Sequence, residues 1–171
     1  MPFSFGYLVD KYPASHFVMK LPFLSRFLGG DPNLETLRLT YNSSLSASNK
    51  AQFGKLLAVI VQELPDLLAV SIIDLKSSEV LASQHVVGKS NPVKAAAYNT
   101  EVIKQQRQSL QALGLASEEA IEDILITLRS QWHILRPLPG DRYFIHLMVS
   151  MRVTNLGIAR DVLRTHASTI G

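Results

Sequence analysis

The stretch Val86-Val87-Gly88-Lys89-Ser90 is the most chemical-looking part of the sequence. It follows a strand-like run and precedes a helix-like one, and a phosphate-binding loop ends in Gly-Lys-Ser at such a junction. That loop also needs a glycine five positions before its Gly-Lys, so that successive backbone N–H groups can wrap the phosphates. Here the position holds Ser83, and Asn91-Pro92 delays the helix start. The half-match does not carry nucleotide binding. Asp74, after Val70-Ser71-Ile72-Ile73, stands where a magnesium-binding carboxylate could sit. It precedes the Gly-Lys-Ser and a tight polar turn, and an Asp that opens a hairpin turn is the ordinary reading.

His133 and His146 would face each other if Pro137 pairs with Arg142 across the loop between their strands. Two imidazoles begin a metal site, but no third ligand stands nearby, so core or interface histidines are expected. Trp132, Tyr143 and Phe144 could stack nucleic-acid bases, yet few basic residues interleave with them, and packing is expected instead. The remaining histidines are dispersed at His16, His85 and His166, and no Gly-x-Ser-x-Gly elbow or fixed carboxylate pair is present. No catalytic, cofactor or metal residue is assigned, and the chain is expected not to be an enzyme.

Composition agrees. Of 171 residues, 47% are hydrophobic and 18% charged, the balance of a folded globular chain. The net charge of +3 is small and scattered, which argues against a nucleic-acid partner. Absence of cysteine excludes disulfides and thiolate chemistry and permits a reducing compartment. No apolar run reaches the roughly 18 residues of a spanning helix, and no signal peptide is evident. Cytoplasm is the expected location.

The elements that would hold these residues are legible from periodicity. Phe53, Leu56, Leu57, Ile60, Val61 and Leu64 recur at helical spacing and predict a helix over Asn49 to Leu64, stopped by Pro65. Leu67 to Leu75 and Glu79 to Val87 read as a hairpin of two strands. Asn91 as cap, Pro92 at the first position and Gly114 as stop predict a second helix from Pro92 to Leu113. Its apolar positions are sparse, so one face should be wet or meet a partner. Lys104 and Arg107 on it, and Arg160 and Arg164 on the last helix, form modest basic patches whose usual role is solvation.

Asp123 to Arg129, Gln131 to Pro137 and Arg142 to Met151 read as three antiparallel strands. A last helix follows, capped by Thr154 or Asn155 and carrying Leu156, Ala159, Val162 and Leu163. The strands are apolar on both faces, which predicts helices on both sides of the sheet. The expected architecture is an α/β sandwich, a five-stranded antiparallel sheet with one helix on one face and two on the other.

Residues 1–46 read as an aromatic-rich N-terminal extension, with Phe3, Phe5, Tyr7, Tyr12, Phe17, Phe23 and Phe27 interrupted by prolines; residues 47–171 read as the domain. The segment from Lys20 to Leu28 mixes basic and apolar residues and could lie on a membrane surface. Packing onto the domain is the blander reading, and peripheral contact with the inner membrane the alternative.

The segments EDILITLRSQWHILRPL, RYFIHLMVSM and Asn155-Leu156-Gly157-Ile158-Ala159-Arg160 together resemble the strand, strand, strand, helix-opening signature of the bacterial branch of the Roadblock family, the dynein light chain Roadblock-like domains. The resemblance spans about residues 49 to 168. It implies a profilin-like sandwich that homodimerises by joining sheets edge to edge and laying second helices side by side, and that binds a small Ras-like GTPase or serves as an adaptor or scaffold. By position it implies a pairing edge strand of Asp123, Ile124, Leu125, Ile126, Thr127, Leu128 and Arg129, and a partner-facing helix surface of Tyr98, Glu101, Gln105 and Gln108. A small-ligand sensor with a pocket between sheet and helix, and a membrane-tethered adaptor, are the competing readings.

Overall fold

The computed structural model describes residues 17–18, 37–64, 66–86 and 91–170. Ser46 opens α1 (Ala47–Glu63), its hydroxyl accepting the Asn49 N–H, and Phe53, Leu56, Leu57, Ile60 and Val61 form the buried stripe that the spacing predicted. Asn91 caps α2 (Pro92–Ala112) through the Lys94 N–H, with Pro92 in the first turn where its missing donor costs nothing. Gly114 ends it at φ 71°, a backbone state that suits glycine. Asn155 caps α3 (Leu156–Ala167), accepting from both Gly157 and Ile158.

The sheet is antiparallel throughout, and its strands are β1 (Phe17–Val18), β2 (Leu37–Tyr41), β3 (Leu67–Asp74), β4 (Val80–Val86), β5 (Ile124–Thr127), β6 (Gln131–Pro137) and β7 (Tyr143–Ser150). Their spatial order is β1-β2-β4-β3-β7-β6-β5. Five of these are the expected strands. The sixth, β2, and the two-residue β1 correct the expected count of five, and both come from the N-terminal 46 residues. In β2, Leu37, Leu39 and Tyr41 alternate with Arg38 and Thr40, the period that gives a strand two distinct faces. It pairs along β4 from Leu37↔Val86 to Tyr41↔Ala82.

Helices α1 and α3 cover one face of the sheet, where Phe53, Leu57, Ile60 and Leu163 pack with Val70, Ile72, Ile134, Ile145 and Leu147. Helix α2 covers the other, where Ala96 and Ile103 meet Ile73, Leu135 and Phe144. This is the one-and-two division of helices expected from the sequence. The central strands β3 and β7 are buried on both sides, which is why their apolar residues run on without alternation. Among the described residues no helix is long and apolar enough to cross a membrane.

Candidate functional site

The strand at the sheet's outer margin is β5, four residues long and paired to β6 alone, from Ile124↔Leu135 to Thr127↔Trp132. It is shorter than the Asp123 to Arg129 span read from the sequence, because Leu128 already belongs to the turn, its N–H donating to the Gln131 carbonyl at 2.9 Å. In an antiparallel ladder the inward N–H groups alternate. With Leu128 inward, Ile126 and Ile124 are also inward, and the N–H groups of Leu125 and Thr127 point to the open margin. Leu125 and Leu128 are exposed there at 38% and 46%.

Asp123 and Arg129 flank the strand and differ in setting. The Asp123 carboxylate is buried, 2.9 Å from Arg160 Nε of α3 and 3.7 Å from Arg136 of β6, whereas Arg129 is exposed in the turn. Asp123 therefore pins the start of β5 to α3 and β6. Arg136 also reaches Glu122 at 2.9 Å.

On α2, Tyr98, Glu101, Gln105 and Gln108 are all exposed, Tyr98 at 78%. Val93 and Val102 add exposed apolar surface to the same helix, and Leu113 adds it at the C-cap. The basic residues noted along α2 and α3 are paired: Lys104 with Glu101 at 2.9 Å, Arg107 with Asp141 at 2.6 Å, Arg160 with Asp123, and Arg164 with Asp161.

The histidine pair forms, by a different register from the one supposed. Pro137 pairs with Phe144 rather than Arg142, so His133 lies opposite Met148 and His146 opposite Leu135. A slip of two residues keeps every side chain on its face, and the rings meet diagonally, His146 Nε2 lying 3.2 Å from His133 Nδ1. Burial pushes the His146 imidazole down to about 3, with a smaller contribution from charge on His133, and burial also lowers His133. The other ring nitrogen of His133 meets Gln131 Oε1 at 3.2 Å. Among the described residues no group of three metal-ligating side chains occurs.

His146 ends a polar row that crosses the sheet beneath α2: Thr40 opposite Ser83, Ser83 opposite Ser71, Ser71 opposite His146. Asp74 is the hairpin opener expected, its Oδ1 accepting the N–H groups of Lys76 at 2.8 Å and Ser77 at 3.0 Å. Burial acts to raise its pKa, and those N–H groups together with Arg142 outweigh it and hold the carboxyl below its usual range. Gly88-Lys89-Ser90 and the basic-apolar segment Lys20 to Leu28 lie outside the described residues.

A helix, a hairpin, a second helix, three strands and a closing helix, with one helix alone on its face, make a Roadblock-like α/β sandwich. Solved structures of that class superpose on the chain. Myxococcus xanthus MglB matches with a TM-score of 0.57 at 15% identity, over 67% of this chain and 90% of that one. An MglB with tetrameric arrangement matches at 0.61 and 14%, over 73% and 89%. A Roadblock/LC7 domain from Streptomyces avermitilis matches at 0.56 and 12%, over 68% and 92%. No protein-family model and no curated protein sequence matches. At these identities the likeness is one of fold, kept by apolar periodicity while the individual residues differ.

Proposed function

We infer that the chain is a non-enzymatic regulatory or scaffold module that homodimerises through β5 and α2 and presents a surface to a small Ras-like GTPase or an adaptor protein. The observation that carries the reading is the outer position of β5. Its outward N–H groups at Leu125 and Thr127 are a ready template for a second strand, and an exposed Leu125 and Leu128 give the margin apolar surface to bury. Self-association in a neighbour of the same fold, the MglB with tetrameric arrangement, supports it. The GTPase or adaptor partner follows from the Roadblock resemblance, with Tyr98, Glu101, Gln105 and Gln108 as its contact surface and the cytoplasm as its setting.

The test is light scattering on the full chain at micromolar concentration, wild type against Thr127→Pro. Proline removes an outward donor and leaves the β5–β6 ladder intact, a substitution that edge strands tolerate. The wild type should have twice the mass of the chain, and the variant should be monomeric with unchanged far-ultraviolet circular dichroism. A monomeric wild type sinks the reading.

A further inference from the structure

Between β2, β4 and the start of α2 lies an open cleft of about 430 Å³. Its polar lining comes from Arg38, Thr40, Ser83, His85 and Asn91, and Pro92 contributes an apolar wall. Cross-strand pairing builds it, since Arg38 sits opposite His85 and Thr40 opposite Ser83, all four on the face toward α2. The hydroxyls are chained: Thr40 Oγ1 lies 2.9 Å from Ser83 Oγ, which lies 3.3 Å from His85 Nδ1.

Among the described residues the charge is one-sided: no carboxylate lines the cleft, and the first turn of α2 holds no acidic residue. Arg38 Nε is buried without a hydrogen-bond partner among the described residues. A buried guanidinium nitrogen left unpaired costs free energy that an anion would recover. Burial and then the charge of Arg38 lower the His85 imidazole, so His85 gains a proton most readily when a negative charge enters.

We propose that this cleft binds a small phosphate ester, its phosphate held by Arg38 with the Thr40 hydroxyl and the His85 ring, both oriented by the buried Ser83 hydroxyl between them, and its organic body against Pro92. Arg38 offers forked N–H donors suited to a phosphate's oxygens. The volume lies within the range of small-ligand pockets, and a bare ion would fill a small part of it. The site is made of side chains on two strands, unlike a glycine loop that wraps phosphate with backbone. It does not rest on the dimer reading.

Calorimetric titration of the full chain at constant ionic strength tests it, with inorganic phosphate, sulfate and ribose 5-phosphate up to about 10 mM. Saturable binding is expected, tighter for ribose 5-phosphate than for inorganic phosphate. Arg38→Gln should weaken both by tenfold or more. Sulfate, whose charge is constant over this range, should bind more tightly at pH 5.5 than at 7.5 in the wild type, and equally at both in His85→Asn. That second variant decides the matter if Arg38→Gln does not fold. Absence of saturable binding, or binding undiminished in a folded Arg38→Gln, overturns the site; equal affinity for the ion and the ester overturns the organic part.

Discussion

His146 should make the stability of this protein depend on pH in a way a single substitution removes. Its ring is 1% exposed, beneath α2 and against His133, and burial pushes its pKa down from 6.5 to about 3. Between those values the unfolded chain takes up a proton that the folded chain refuses, so stability is full above pH 6.5 and falls as the pH drops toward 3. Each pH step in that window costs about 1.4 kcal/mol, so acidification from pH 7 to 5 should remove about 2 kcal/mol through this residue. For a domain of this size that is a sizeable part of the total, typically about 5–15 kcal/mol.

Urea unfolding at fixed protein concentration, at pH 7 and pH 5, gives the slope for the wild type and for His146→Gln. His85 and His133 are also lowered by burial and act in the same direction, and both remain in the variant. The difference between slopes therefore reports His146 together with its coupling to His133, whatever the substitution does to stability at neutral pH. If the two slopes coincide, the imidazole is protonated inside the fold or the layer beneath α2 opens to water, and the reasoning is refuted.

Gly54→Ala should stabilise α1 by up to about 1 kcal/mol, since glycine inside a helix is poor. The added methyl meets only the Tyr41 hydroxyl, the free end of a side chain already 37% exposed, which can swing aside; a lower urea midpoint would show that hydroxyl to be fixed. Asp123→Ala leaves Arg136, 12% exposed, with Glu122 as its one remaining carboxylate among the described residues and should lower stability by about 1 kcal/mol, with Arg160 contributing little because it is half exposed. The urea midpoint measures it, and an unchanged value would mean that Glu122 and water replace the carboxylate in full.

Much of the fold was legible because its signals are local. The apolar stripe of α1, the Asn91-Pro92 start of α2 and the Gln131 to Pro137 strand each lie within a few residues of the features that specify them. The register of β6 against β7 did not, since it depends on a loop in which both Gly140 and Asp141 adopt positive φ, at 78° and 58°. That loop shifts the pairing by two residues. The histidine contact survives only because an even slip preserves the face.

β2 was carried by just five alternating residues among aromatics and prolines, too short a run to stand out beside the long apolar strands. The cleft was harder still to read. It exists because Arg38 comes to lie opposite His85, a pairing of distant residues that no local pattern announces. Even so, Ser83 and His85, two apart on a strand, already marked one face of β4 as polar.

The placement of β2 also decides which strands end the sheet. A sheet with two bare margins is a bifunctional monomer, and strand addition at both ends yields a chain of indefinite length. Here β2 occupies β4 from Ala82 to Val86, and β1 lies outside β2 at Leu39 and Arg38. The edge of β4 is thereby paired with the chain's own N-terminal residues, and the sheet's margin on that side passes to β2 and β1. Among the described residues the sheet therefore ends in strands of very different reach, a two-residue β1 on one side and the four-residue β5 on the other, and the shorter offers a second chain little ladder to extend.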